Sequence, residues 1–408
     1  MTHATTAELD PPCPPAAGAA APGAEIHAPT GALRAVRRPF DAISPATWDA
    51  LVAANPWATP FSRWAVHRAW WDAYGANAHD QTMVVVPVDA PDDAEPVAIL
   101  PLMHRHEVEP DDAILHTRMR ADPTARLTAV EPTAKAVFFG ASYHADYATL
   151  LAAPADLPAV AAALADALAA PPDAQDPDHP APWDVVDLRR LRCGDPAADS
   201  LAAAFGARAG ADGWTVTRER EEVCPVVDLP PGLDFDAYLG TLGKKERHEV
   251  RRKLRRAEAA GEVRRERSAD PVADLPTFVD LHQKRWGADG LFPETAGGDQ
   301  SRLFFRRLFE LAAPDGLVQL HFVTVAGRRI AAGIWFHDGA TLYFYNAGIE
   351  PDARELSPGV LLSALSFRAA LEAGCRRFDY LRGDEPYKYE WGARDVPIQR
   401  LLVVRTAS

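Results

Sequence analysis

The chain has 408 residues, with 57 acidic against 43 basic side chains and a formal net charge of −14. Apolar residues make up 48% and charged residues 25%, a globular composition that excludes a wholly disordered chain. That length exceeds what one core usually serves, so two domains are expected. The acidic balance argues against broad electrostatic binding to nucleic acid, DNA above all. The four cysteines, Cys13, Cys193, Cys224 and Cys375, show no CxxC or Cys/His ligand spacing. A zinc ribbon, a disulfide scaffold and a metal site are therefore not expected. No uncharged apolar run reaches the roughly 18 residues of a membrane span, and no basic-then-apolar leader is visible. A cytoplasmic protein without a transmembrane segment is the expectation.

Residues 1 to 33 are rich in Ala, Pro, Thr and Gly without periodicity, and read as a disordered tail. Pro60 to Tyr74 reads as a helix. Gln81 to Val88 and Pro96 to Met103 read as strands joined by the acidic turn Asp89 to Glu95. Ala134 to Phe139 is a further strand and Ala155 to Ala169 an Ala/Leu helix. The segment PPDAQDPDHPAP, Pro171 to Pro182, is a loop. Trp183 to Leu188 follows as a strand, Ala197 to Ala207 as a helix, and Thr215 to Leu229 as mostly extended chain. Pro230-Pro231 marks the expected boundary between a domain over 34–230 and a second over 231–408.

The second half has sharper signals. Phe235 to Leu242 and Lys244 to Ala260 are helices, the latter stopped by Gly261. Val272 to Trp286 and Gln300 to Ala312 are two more. Leu317 to Val325, Ile330 to Phe336 and Thr341 to Asn346 are strands. Ala326-Gly327 and Asp338-Gly339 supply hairpin turns between them, giving an antiparallel meander. Ser357 as N-cap, Pro358 in the first turn and Gly374 after the end bound a helix over Pro358 to Ala373. Phe378 to Leu381 and Leu401 to Arg405 are the last strands. The first half follows a weaker version of the same order, so two copies of one α/β fold are expected, with mixed, mostly antiparallel sheets flanked by helices.

Four stretches carry a resemblance. The first is Tyr343-Phe344-Tyr345-Asn346-Ala347-Gly348, leading to Ser357-Pro358-Gly359-Val360-Leu361-Leu362. The second is Ala373 to Glu385, AGCRRFDYLRGDE, followed by Tyr387-Lys388 and Trp391-Gly392. Upstream come Leu242-Gly243-Lys244-Lys245-Glu246-Arg247 with Val250-Arg251-Arg252, and Leu281-His282 with Arg285-Trp286. This pattern resembles the CelD/BcsL-type GNAT acyltransferases with a BioF-like acetyltransferase domain, strongly over 232–395. The tandem arrangement is shared with FemABX aminoacyltransferases, which take their donor from tRNA. The resemblance implies a tandem GNAT-like fold. It also implies acyl transfer, from acetyl-CoA or another acyl-CoA as co-substrate, to a small or saccharide-linked acceptor. The alternatives are a tRNA-dependent enzyme and a non-catalytic binding module.

Several residues then become candidates. Arg354, Ser357, Gly359 and Val360 match the phosphate loop of the fold, where a helix N-terminus meets the donor. Ser357 departs from the usual glycine, and Pro358 lacks an N–H. Asp384 and Glu385 sit behind the flexible Gly383 at a strand end and suit proton transfer, with Tyr387 or Tyr389 as acid to the leaving thiolate. Lys388 is expected to hold a substrate anion, and Trp391 to line the substrate site or anchor the loop. Arg285 and Trp286 suit a substrate wall by cation–π contact, or a buried aromatic under a loop, the second being favoured. Residues 244–256 hold eight Lys or Arg against two Glu. They are either a solvated face or an anion site, with Lys244, Lys245, Arg247, Arg251 and Arg252 as its members. His104 and His106 lie two apart on one strand, with no third ligand near.

Overall fold

The computed structural model describes residues 31–105, 127–131, 134–170 and 183–405. The expected tail as far as residue 30, the loop 171–182 and His106 lie outside the described residues. Leu33, assigned to the tail, instead opens a strand.

In the first half, β1 (Leu33–Arg37), β3 (Met83–Pro87), β4 (Ala98–Leu100) and β7 (Leu151–Ala152) form a four-stranded sheet, in the order β1-β3-β4-β7. Helix α1 (Pro45–Ala54), which the periodicity did not reveal, packs Trp48, Leu51 and Val52 beside it. Ser44 caps α1 by accepting the Thr47 N–H at 3.0 Å. Helix α2 (Trp64–Tyr74) and β2 (Ala78–Asp80) follow. The single strand expected over Pro96 to Met103 is two, because Pro101 interrupts the ladder. After it the chain changes sheet as β5 (Leu102–Arg105).

The remaining elements of this half are β6 (Ala136–Phe139), α3 (Leu157–Ala169), β8 (Val185–Arg192), α4 (Pro196–Asp212) and β9 (Trp214–Asp228). The second half contains α5 (Phe235–Thr241), α6 (Lys244–Ala260), β10 (Val263–Arg267), α7 (Pro271–Trp286) and α8 (Ala296–Ala312). It continues with β11 (Val318–Val325), β12 (Arg328–His337), β13 (Thr341–Ile349), α9 (Pro358–Glu372), β14 (Arg377–Asp379), α10 (Pro386–Glu390) and β15 (Arg394–Arg405). The meander is as expected, and its first turn places Ala326 and Gly327 at positive φ, the geometry of a two-residue hairpin. Strand β15 begins seven residues before its expected start at Leu401.

Eleven strands form one sheet, in the order β10-β11-β12-β13-β14-β9-β15-β8-β6-β5-β2. Two matching units stand at its ends. In the second half β11, β12 and β13 pair antiparallel and β13 pairs parallel with β14, across helix α9. In the first half β2, β5 and β6 pair antiparallel and β6 pairs parallel with β8, across helix α3. The structure is thus the tandem GNAT-like fold. The connection at Pro230-Pro231 joins β9 to α5, but the sheet runs on across it. Strand β9 pairs with β14, and β15 inserts between β9 and β8.

One core cluster takes Trp70, Tyr74 and Tyr147 from the first half with Phe278, Phe304 and Phe336 from the second. A second cluster, with Tyr238, Val250, Leu361, Phe367 and Trp391, lies between the opposite sheet face and helices α5, α6 and α9.

Candidate active site

The parallel pair β13/β14 is short. It joins Thr341 to Arg377, Leu342 to Phe378 and Tyr343 to Asp379, and ends there. Beyond it β13 continues to Ile349 beside β12, with its register shifted between Ile334 and Trp335. A bulge of this kind bends the strand away from its neighbour. The other chain bonds back to β9, with the Tyr380 N–H on the Pro225 carbonyl at 3.0 Å and the Gly383 N–H on the Val223 carbonyl at 3.1 Å. A crevice therefore opens between Phe344–Ile349 and Tyr380–Glu385, at the carboxyl ends of two parallel strands.

Helix α7 backs the β13 side. A Cβ on Gly348 would meet the His282 N at 2.5 Å, so only glycine allows this approach. The contact delivers the end of α7 to the crevice. There the Arg285 guanidinium lies 4.6 Å from the Trp286 ring centroid, and Trp286 is 39% exposed, which overturns the favoured reading of a buried aromatic. Tyr387 belongs to the same group. Burial pushes its phenol up, against opposing pulls that include Lys388 and Arg285. The structure thus brings Arg285, Trp286 and Tyr387 together from segments a hundred residues apart.

The α9 entrance stands at the mouth. Ser357 has left-handed backbone, with φ 56°, and its side chain caps nothing. This corrects the expected side-chain cap. Its hydroxyl accepts instead from Arg256 Nη2 of α6 at 2.7 Å, while its carbonyl accepts the N–H groups of Val360 and Leu361. Leu381, on the opposite wall, is also a non-glycine residue at positive φ. Strain on both walls of one crevice is a frequent mark of a functional site. Arg354 is exposed, and a Cβ on Gly359 would meet nothing within 4 Å, so the backbone there is open to a ligand.

Two other expectations are corrected. Lys388 does not face a substrate. It is 2% exposed, and its ammonium donates to the Arg382 and Gly383 carbonyls at 2.7 and 2.9 Å and pairs with Glu385 at 2.8 Å. It holds the loop after β14 closed from inside, and it ties up Glu385. Trp391 is 3% exposed and stacks on Phe367 at 5.0 Å, while its carbonyl accepts the Tyr238 hydroxyl. It is a core anchor, beside a cavity of about 460 Å³ that Tyr238, Gly243, Glu246 and Arg394 also line. Asp384 is 7% exposed on the crevice loop.

On α6, Val250 and Ala257 are buried and Leu254 packs against the same cluster half-buried. Arg251 reaches Asp236 at 3.6 Å, Arg252 pairs with Glu249 at 2.7 Å, and Arg247 donates to the Gly240 carbonyl at 3.0 Å. Lys244 and Lys245 are exposed at the far end of the helix from Arg256. His104 Nδ1 bonds the Ala136 carbonyl at 2.9 Å.

Local sequence could not reveal the polar seam between the halves. His144 is buried and bonds Tyr74 Oη at 2.8 Å and Tyr345 Oη at 3.1 Å, and Tyr74 bonds Ser301 Oγ at 3.0 Å. Tyr345 donates back to the His144 carbonyl. Arg382 pairs with Asp146 and lies 3.8 Å from Glu222, and Tyr147 donates to Asp379 at 2.8 Å. These pairs tie the first half to both strands of the splay. The contacts span some 200 residues, so only the pattern of isolated polar residues in apolar stretches hinted at them.

Burial lowers His67, His321 and His144 to about 3, with Arg382 adding to the last, and lowers His282 to about 4. Each group takes up a proton on unfolding below about pH 6.5, so stability is lost as pH falls. Buried Asp379, pushed up to about 6, works in the opposite direction between pH 6 and 4. Asp156 and Asp195, also pushed up by burial, work in the same direction as Asp379. The four histidines set the net sign, so stability, read from the urea midpoint, should fall from pH 7 to pH 5, by on the order of 1 kcal/mol per pH unit for each net proton taken up on unfolding.

Comparison with known proteins bears on the fold and on residues 244–389. Residues 244–389 match the family model described as acetyltransferase (GNAT) domain, which covers the crevice, α6 and α9. The solved structure of FemX aligns over 88% of this chain and 96% of its own, at 12% identity and TM-score 0.55. A conserved protein of unknown function from Bacteroides thetaiotaomicron aligns over 89% of this chain and 98% of its own, at 11% identity and TM-score 0.52. At such identity these two speak for the fold. No curated protein sequence matches the chain. Over residues 244–389 the chain is thus similar to a GNAT-type acetyltransferase domain. Among the described residues no helix is long and apolar enough to cross a membrane, and no group of three or more His, Cys, Asp or Glu is placed to hold a metal ion.

Proposed function

We propose that the chain is an acyltransferase of the CelD/BcsL type, moving an acyl group, acetyl in the simplest case, from a pantetheine thioester to an amine or hydroxyl of a small or saccharide-linked acceptor. The splay of β13 from β14 beneath the α9 entrance supports this reading most directly. Strands that part in this way leave ladder positions on facing edges, where a pantetheine arm would lie between them. Arg354, the Gly359 N–H and the first turn of α9, from Ser357 to Val360, would meet the donor phosphate. The acceptor attacks the thioester carbonyl directly. Asp384, at the strand end behind Gly383, takes its proton. Tyr387, which burial keeps protonated, returns a proton to the leaving thiolate. Arg285 and Trp286 form the outer wall against the acceptor.

The basic α6 favours a second reading, an aminoacyl-tRNA donor, under which acyl-CoA would not bind. Two variants test the donor site. Arg354→Ala and Gly359→Glu should each weaken acetyl-CoA binding about tenfold or more by calorimetry, with melting temperatures within a degree or two of wild type. Unchanged affinity in both would remove the α9 entrance from the site.

A further inference from the structure

The charge on α6 is placed where the fold does not need it. Lys244 and Lys245 are the first two residues of the helix, after a Gly243 cap with no side chain. Cations there oppose the helix macrodipole. Neither lysine, nor Arg255, has a carboxylate partner among the described residues. At the other end Arg256 meets a hydroxyl, not an acid, and points positive charge at the positive end of α9. Beside it β10, the outermost strand of the sheet, adds the exposed Arg265 and Arg267, which share the strand face of Val263, the residue packed with the α6 cluster. From Lys244 to Arg256 it runs about 18 Å at 1.5 Å per residue. One nucleotide does not span that length.

The α9 entrance, in contrast, is poor in donors. Pro358 has no N–H, the Ser357 N–H is spent on the Arg354 carbonyl, and those of Val360 and Leu361 are spent on Ser357. Only the Gly359 N–H of this turn lacks a partner among the described residues. One amide between Arg256 and Arg354 suits one phosphate better than a pyrophosphate.

We infer that the preferred donor is a thioester on the phosphopantetheine arm of a small acidic carrier protein. The inference rests on the acyl-transfer reading and names its donor. An acidic helix of the carrier lies along α6 and β10, and the arm passes Arg256 and Ser357 into the crevice. There the acceptor nitrogen or oxygen bonds to the acyl carbon and the C–S bond breaks. The acceptor's proton goes to Asp384, Tyr387 gives its proton to the sulfur, and the carrier leaves as its free thiol. The local charge complements an acidic protein surface, while the chain's net charge of −14 disfavours a long polyanion such as RNA.

The test is binding to the full chain of four probes: an acetylated holo acyl carrier protein, the same carrier without its arm, acetyl-CoA, and bulk tRNA. The acetylated carrier should bind at least tenfold more tightly than acetyl-CoA at 50 mM salt, and lose that margin as salt rises. The double variant Lys244→Glu/Lys245→Glu should weaken the carrier at least tenfold and acetyl-CoA less than twofold. It should leave the melting temperature unchanged or raised, because acids suit that helix end. Equal affinity for carrier and acetyl-CoA, indifferent to the double variant, would overturn the inference and leave the acyl-transfer reading standing. Tighter binding of tRNA than of the carrier would overturn it in favour of an RNA-borne donor. Binding of none of the four would overturn both.

Discussion

Asp384→Asn should lower acyl transfer by a factor of about 10² to 10⁴, the usual contribution of a positioned general base. Glu385→Gln should cost less than about tenfold. The two carboxylates are adjacent in sequence but differ in surroundings. Glu385 is fixed at 2.8 Å to a buried ammonium, whereas Asp384 occupies the loop between the end of β14 and α10. The rate is read as thiol release from acetyl-CoA in the presence of an amine acceptor, with affinity followed separately by calorimetry. A loss in kcat without a loss in acetyl-CoA affinity is the expected pattern for a base. Equal rates in wild type and both variants would remove this loop from the chemistry.

The second large effect is on stability. Lys388→Met should destabilise the fold by about 3–5 kcal/mol, because it strands the partners of a buried charge. The Arg382 and Gly383 carbonyls would lose their donor and Glu385 its counter-ion. Denaturant midpoints measure this directly. Had Lys388 held a substrate anion, the same change would raise KM and leave stability untouched. The double variant Lys388→Met/Glu385→Leu should recover part of the loss, since it removes the stranded carboxylate as well.

Much of the second half was legible because its punctuation is local. Ala326-Gly327, Asp338-Gly339, Pro358 and Gly374 mark element ends through their own backbone preferences. The basic helix, ended by Gly261, was legible from its own residues. What failed was whatever depended on burial from elsewhere. Lys388 and Trp391 lie in a polar, aromatic string that reads as a site, but the fold turns both inward onto carbonyls and onto Phe367. Ser357 precedes Pro358 and looks like a cap. Its positive φ, unfavourable for a serine, sends the hydroxyl to Arg256 instead. Trp286 failed in the other direction, being half-exposed where burial was favoured.

The first half was harder because its elements are short and its helices rich in alanine. Pro101 splits a strand between two sheets, a topological fact no local pattern carries. The seam through His144, Tyr74 and Tyr345 depends on two copies of the fold meeting. The duplication itself is visible in the matching order of strands, yet the two helix entrances differ. In the first half α3 has the buried Asp156 at its N-cap, after Pro154, so it places a carboxylate where the second half has Ser357.

The central claim is one thioester site per chain, at the β13/β14 splay. Calorimetric titration of the purified chain with acetyl-CoA, with free CoA as comparison, tests it most directly. The account predicts saturable binding at a stoichiometry of one, weakened when the acetyl group is absent. No binding of either ligand, or two equivalent sites per chain, would contradict it.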